Sequence, residues 1–533
     1  MEYNVADLFE SVVDVRADHL AVVSGKTRLT FRELDNRANR FANFLKERGV
    51  GKDMHVGLHL YNGHEFLEAM LGVLKIRAVP INLNYRYVAA ELEYLVDNAD
   101  LVSIVSQNEF APILEEACKD KPKLKSVIFV GGEGEVTGYE CSEYETALDK
   151  SSPERDFEAR SGDDTYIIYT GGTTGMPRGV MWRHEDVFFA GLQGGSAHGE
   201  PVERPEELAE WVKDGDLAMN ILPAAPFIHG AANWSAFIGL NSGGTLVLQP
   251  GRSFDAKRIC ELIGEEGVNT VTIVGDAMAR PIIDAMSEPE ADFNMESLVV
   301  IASAGAVLAP SVRERLQELL PETMVLNNFG STETGHQGAA VGGDEIGTEG
   351  RPCFEMDETN AVFDDDFNRI EPGSGKMGKL ARTGRIPIGY YNDPVKTAAT
   401  FKEIDGVRWA MPGDHATVEE DGRITVYGRG SGCINTGGEK VFPEEVEEAL
   451  KSHPNVFDAL VVGKADEKWM QVVAVVLEPR PGKTLSLEEA QEHCRKSIAG
   501  YKVPRILHLV EQVERHPSGK PDYKWAKSLV EAG

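Results

Sequence analysis

Apolar positions along the chain follow two rhythms. From Thr27 to Gly49 they recur every three or four residues, with Leu34, Ala38, Phe41 and Leu45 on one face. Thr30 and Glu33 have the spacing of a capping box and Gly49 can end the turn, so this stretch predicts an amphipathic helix. Residues 54–60, 78–83 and 101–106 are short apolar runs and predict strands. Residues 65–77 and 91–99, between them, predict helices. Beyond residue 250 the rhythm returns: helices over 256–267 and 311–321, strands over 269–275, 297–305 and 323–330. Alternation of this kind indicates parallel sheets.

The last hundred residues read differently. Helices over 444–454 and 487–500 and strands over 456–463, 471–479 and 505–510 predict a compact α+β unit. The glycine-rich stretch 428–433, GRGSGC, suits a hinge. The expected fold is α/β: a large N-terminal domain of parallel and mixed sheets with helices over 1–429, a hinge at 430–432 and a small domain over 433–533.

With 533 residues, 42% of them hydrophobic and 26% charged, the chain is an ordinary globular protein too long for one core. Its formal charge of −32 disfavours nucleic acid and anionic membranes as partners. An anionic ligand must therefore be met by local cations or backbone N–H groups. The six cysteines lack metal-site spacing, which fits reduced thiols. The acidic N-terminus does not read as a signal peptide, and no apolar run approaches a membrane span. These features predict a soluble cytoplasmic protein with no transmembrane segment. A homodimer is an assembly the sequence leaves open.

In open α/β sheets, ligands sit at the carboxyl ends of strands. Three such ends carry candidate chemistry. The strand TYIIYT ends at Thr170 and opens into Gly171, Gly172, Thr173, Thr174 and Gly175, followed by Arg178. Glycines let N–H groups approach an anion, threonine hydroxyls add donors, one of which can ligate Mg²⁺, and arginine adds charge. By itself this could equally be a polar surface loop. The stretch Asn328, Phe329, Gly330, Ser331, Thr332 and Glu333 offers an aromatic for a base and a carboxylate for Mg²⁺. Ala302, Ala304, Gly305 and Ala306 offer backbone to a flat ring. Asp414 and Arg429 suit ribose hydroxyls, and Lys520 sits in a loop bounded by proline and glycine.

In this order, YTGGTTGMPRGV, NNFGSTETG, PGD, YGRGSGCINTGGEKVFPEEVEEAL and HPSGK resemble the motif series of the AMP-forming acyl-CoA synthetases, over essentially the whole chain. The resemblance implies a mobile C-terminal domain and two half-reactions. A carboxylic acid and ATP form acyl-AMP and pyrophosphate; coenzyme A then displaces AMP. It also implies the residue roles. Thr170–Gly175 and Arg178 would hold phosphates, and Glu333, with Thr174, would hold Mg²⁺. Thr332 would contact the α-phosphate. Phe329, Gly305 and Ala306 would enclose adenine, with Asn328 on its edge. Asp414 and Arg429 would hold ribose, and Gly437 and Gly438 would line the pantetheine tunnel. Lys520 would bridge the attacking carboxylate and the α-phosphate.

The chain departs from the pattern at Arg178, where lysine is commoner, at Gly171, where serine is usual, and at Ser431 in the hinge. His229 falls near the expected reacting carboxylate. Gly230, Ala302, Ala304 and Gly335 are candidate pocket residues whose small size suggests room for a bulky or medium-to-long hydrophobic acid, with Trp234 as a candidate wall or gate. A carrier protein as acceptor, or a short or aromatic acid, is the alternative. A kinase is not expected, because there is no Walker loop.

Overall fold

The structure is a computed structural model. It describes residues 1–170, 176–196, 200–306, 308–341, 352–429, 432, 434–436, 439–466, 469–496, 498, 500–516 and 519–532. Gly171–Gly175, Gly430, Ser431, Gly437 and Gly438 lie outside the described residues.

The first rhythm becomes an all-parallel sheet of five strands. Its order is Val79–Asn82, His55–His59, Leu101–Gln107, Ser126–Val130, Glu140–Glu143. The expected capping box forms: the Thr30 side chain accepts from the Glu33 N–H, and Glu33 reaches back to the Thr30 N–H. The capped helix, Phe31–Glu47, packs on the almost wholly buried helix His64–Lys75. Gly72 is where the two backbones meet, since a Cβ there would lie 2.9 Å from the Ala38 carbonyl oxygen. The fully buried Lys75 is held by Asp35 at 2.7 Å and by Glu10. A buried cation persists only with such partners.

A fifteen-stranded mixed sheet forms the centre. Its middle is parallel and includes Thr270–Ile273, Val300–Ser303 and Met324–Ser331 side by side. Beyond Ser331 the chain reverses, and the strands from Gly335 to Arg429, other than Gly389–Tyr390, continue the sheet in antiparallel fashion. A separate three-stranded sheet holds the hairpin Thr165–Thr170 with Arg178–Arg183.

The strands Ile434–Thr436, Glu439–Val441, Val456–Asp466, Met470–Pro479 and Ile506–Leu509 form their own sheet with its own core. The helix Tyr523–Ala532, not anticipated from the sequence, packs on Val456–Asp466. The helix expected over 487–500 spans Leu487–Cys494. The molecule is thus α/β, with large mixed sheets in the N-terminal part and a smaller α+β unit at the C-terminus. Among the described residues no helix is long and apolar enough to cross a membrane.

Candidate active site

Register places the loops before any side chain does. Ile273 pairs with Ser303, and Ser303 with Asn327, so the parallel pairing of the three strands ends at one level, beyond which Met324–Ser331 runs on by four residues. Ser303, fully buried, accepts a hydrogen bond from the Gly275 N–H at 3.1 Å, which ties the first two ends together.

The hairpin strand Thr165–Thr170 reaches the same region through Asn82. The Asn82 Oδ1 accepts from the Tyr169 N–H at 2.7 Å. Its Nδ2 donates to the carbonyls of Tyr169 at 2.8 Å and Ile228 at 2.6 Å. One amide therefore fixes the end of the strand against the segment that precedes His229. Arg178 opens the returning strand and pairs with Asp393 at 3.1 Å. Asp393 also caps the helix Pro394–Thr400 through the Lys396 N–H. The cation expected to face phosphate thus also ties this helix to the hairpin.

The turn after Met324–Ser331 is held from several sides. The Trp182 indole donates to the Thr332 carbonyl at 3.0 Å. The Tyr390 hydroxyl donates to Oε1 of the buried Glu333 at 3.0 Å, which orients that carboxylate. The buried Arg382 donates to the Thr334 carbonyl at 2.9 Å and to the His336 carbonyl. Thr334 Oγ1 accepts from the Ser331 N–H. Gly335, read from the sequence as pocket space, is instead a point of close packing. Its φ is +71°, and a Cβ there would lie 2.6 Å from the Ala190 carbonyl oxygen. Gly330 is equally confined, because a Cβ there would sit 2.2 Å from the Gly335 oxygen.

Around the expected adenine position, Phe329 is half-buried and tilts against Phe354, with ring centroids 5.2 Å apart. Asn328 Oδ1 lies 3.3 Å from Nε2 of His336, whose pKa is lowered to about 4 by burial and by the nearby Arg382. Gly305 is exposed with φ +82°, and a Cβ there would meet only Ala231, at 4.0 Å. Gly305 therefore borders open space, with Ala302, Ala304 and Ala306 half-buried around it.

Helix Gly230–Asn241 points its first residues at this centre. A Cβ on Gly230 would lie 3.6 Å from Thr332 Oγ1. His229, immediately before the helix, is held neutral: burial above all, then Lys520, His516 and Arg86, lower its pKa to about 3. Its Nε2 is closed off from solvent with no hydrogen-bond partner among the described residues. Such a group is costly unless a ligand meets it. Trp234 stands edge-on to Trp182 at 6.3 Å and leaves no room for a side chain at Gly191. Tyr166 holds the same helix through Asn233 Oδ1 at 2.7 Å.

Asp414, buried at the start of its strand, is the register partner of Arg429. Two residues read separately from the sequence thus become cross-strand neighbours.

The C-terminal unit borders the candidate site. A Cβ on Gly519 would lie 3.2 Å from Val274 and 3.5 Å from Ala277, so the Lys520 loop rests on the end of the strand Thr270–Ile273. Arg480 pairs with Asp284 at 3.3 Å, and Arg280 reaches the Lys451 carbonyl at 3.5 Å across the same boundary.

Among the described residues, the end of the strand Thr165–Thr170, His229, Gly230, Gly305, Thr332 and the Lys520 loop meet around one set of strand ends, while the Asp414–Arg429 pair is placed by its own register. Four residues that the sequence reading did not single out hold them: Asn82, Trp182, Tyr390 and Arg382. A polar residue ending the apolar run AVPIN is a signal that points to Asn82. Nothing local marks Tyr390, which arrives from 57 residues beyond Glu333. For metal and nucleotide, the donor set fits. Hard Mg²⁺ takes oxygen ligands, commonly one carboxylate together with phosphate oxygens and water. Glu333 supplies an oriented carboxylate, while Thr174 lies outside the described residues.

The AMP-binding enzyme family matches residues 9–389, and the AMP-binding enzyme C-terminal domain matches residues 445–520. A medium/long-chain-fatty-acid–CoA/3-oxocholest-4-en-26-oate–CoA ligase of Mycobacterium marinum is 46% identical, over 99% of this chain and 97% of that protein. A 3-oxocholest-4-en-26-oate–CoA ligase of Rhodococcus rhodochrous is 45% identical, over 99% of this chain and 96% of that protein. Among solved structures, an anthranilate CoA ligase in complex with anthranoyl-AMP has a TM-score of 0.86 at 22% identity, covering 100% of this chain and 99% of that one.

Proposed function

The chain belongs to the AMP-binding enzyme family as an acid–CoA ligase that uses ATP, Mg²⁺ and coenzyme A, and from that premise we propose that its acid is a medium-to-long-chain or steroid-side-chain carboxylic acid. The names of the 46% and 45% identical relatives support this reading. So do the small residues Gly230, Ala231, Ala302 and Ala304 beside the reacting centre, with Trp234 as a wall. The observation that carries it is the meeting of a neutral histidine with an unsatisfied Nε2 and the Lys520 loop at one set of strand ends.

In the overall reaction an oxygen of the acid bonds to the α-phosphorus of ATP as pyrophosphate leaves, and the CoA thiol then takes the acyl group as AMP leaves. Bound Mg²⁺ offsets phosphate charge; Glu333, oriented by Tyr390, and Thr174 would hold it. Thr170–Gly175 and Arg178 are assigned to the phosphates. Thr332 is assigned to the α-phosphate, with Gly330 and Ser331 shaping its turn. Asn328, Phe329, Gly305 and Ala306 are assigned to adenine, and Asp414 and Arg429 to ribose. Lys520 places a positive charge where negative charge builds up during adenylation, and preorganised charge of this kind lowers the barrier. His229, neutral at working pH, can donate a hydrogen bond near the acid without taking its proton. Gly437 and Gly438 would border the path of the thiol after the unit beyond residues 430–432 turns on that hinge. The acidic charge and the lack of a spanning helix among the described residues support a cytoplasmic enzyme.

Pyrophosphate release measured across a panel of carboxylic acids tests the substrate. The expected order puts C8–C18 fatty acids and steroid side-chain acids first. A preference for acetate or an amino acid defeats it.

A further inference from the structure

Lys520 is on a loop, and a cation that must meet developing charge needs its loop held still. Five residues upstream, Arg515 uses all three nitrogens to do so. Its Nε donates to Asp458 Oδ2 at 2.6 Å and its Nη2 to Asp458 Oδ1 at 2.8 Å, a two-point pair. The remaining Nη1 donates to the Gly519 carbonyl at 3.0 Å, in the peptide unit that leads into Lys520. The loop closes on itself as well. Gly519 N–H donates to the His516 carbonyl at 2.8 Å, and His516 N–H to the Lys520 carbonyl at 2.9 Å.

The anchor is firm. Asp458 lies in the long strand Val456–Asp466, is nearly buried, and also meets the Ala459 N–H at 2.8 Å and Lys451 at 3.4 Å. These cations and hydrogen bonds outweigh burial and hold its carboxyl far below the usual range, while Asp458, Glu447 and Asp276 raise the Arg515 guanidinium. Asp276 belongs to the N-terminal side, on the helix Gly275–Met286 against which Gly519 rests.

We propose that Arg515 is a positioning residue for adenylation. Braced by Asp458, it fixes the Gly519 carbonyl and so the approach of Lys520. The proposal rests on the adenylating role assigned to Lys520 above.

The test separates the half-reactions in Arg515→Gln and Arg515→Lys, each made also in a Lys520→Ala background. Acyl-adenylate formation should fall on the order of 10–100-fold in Arg515→Gln, as a misplacement of about 1 Å can cost that much. KM for ATP and acid should stay close to that of the unaltered chain, and thioester formation from preformed acyl-adenylate within about twofold. Arg515→Lys keeps the charge but lacks the planar fork, so it should recover only part of the rate. In the Lys520→Ala background neither change should lower adenylation further. If Arg515→Gln does not fold, Arg515→Lys alone carries the same readings. Equal loss in both half-reactions, or a full additional loss without Lys520, overturns the brace. An unaltered chain that forms no acyl-adenylate from any acid overturns the underlying reading, and the brace with it.

Discussion

On the N-terminal side of the site, the turn Ser331–His336 is gripped by Trp182, Tyr390, Arg382 and the backbone of helix His184–Ala190. On the C-terminal side, Lys520 is exposed on a short loop that touches the other side through Gly519. The first region is packed from several elements at once and cannot shift without breaking buried contacts. The second is tied firmly to its own sheet through Arg515 and lightly to its neighbour. That difference suits a reaction in two steps. On the proposed assignments, the region given to nucleotide would stay put, while the Lys520 cation could be withdrawn between steps.

The sharpest way to break the comparison is Lys520→Ala. Adenylation should fall by at least about 10²-fold, while thioester formation from preformed acyl-adenylate survives. Single-turnover assays of each half-reaction would read this, and parallel loss of both would show that Lys520 is not specific to one step.

Next in size is Gly335→Ala. A positive φ and a carbonyl 2.6 Å from the new Cβ should cost on the order of 2–4 kcal/mol of stability. Thermal unfolding measures it. An unchanged midpoint would mean the turn is looser than its contacts imply.

An effect of similar size, spread over two sites, comes from pH. His59 and His184 are fully buried, and burial lowers their pKa to about 3 and about 4. Both carry an Nε2 without a partner among the described residues. Unfolded, they titrate near 6.5 and take up protons the folded chain does not. Their stabilisation is thus fully present above about pH 6.5 and is lost as pH falls towards 4, at about 1.4 kcal/mol per pH unit for each. The unfolding midpoint should drop between pH 7 and pH 5, and His59→Leu should flatten that slope. In the C-terminal unit His493, lowered by burial, is partly exposed. The acid sensitivity should therefore concentrate in the N-terminal part.

Much of this was legible in the chain. The capping box at Thr30, the alternating elements of the first parallel sheet and the glycine stop at Gly49 depend on neighbours three or four residues away, so local reading found them. The candidate site residues were legible as motifs, because each loop carries its own donors. Gly335 was misread, because a small residue looks the same whether it borders a cavity or a carbonyl. The antiparallel continuation from Gly335 to Arg429 was not foreseen either, since its short strands pair with partners far along the chain.

The sequence by itself determined which donors the proposed chemistry draws on: glycine- and threonine-rich loops, the carboxylates Glu333 and Asp414, and Lys520 near the C-terminus. These are side-chain properties and travel with the residue. Only the tertiary structure decided how they are held. Strand register set the loops level, Asn82 and Tyr390 arrived from distant segments to orient them, and Arg515 braced the loop of Lys520 against Asp458. Such constraints arise where segments far apart in the chain pack together, and no local pattern of residues encodes that meeting.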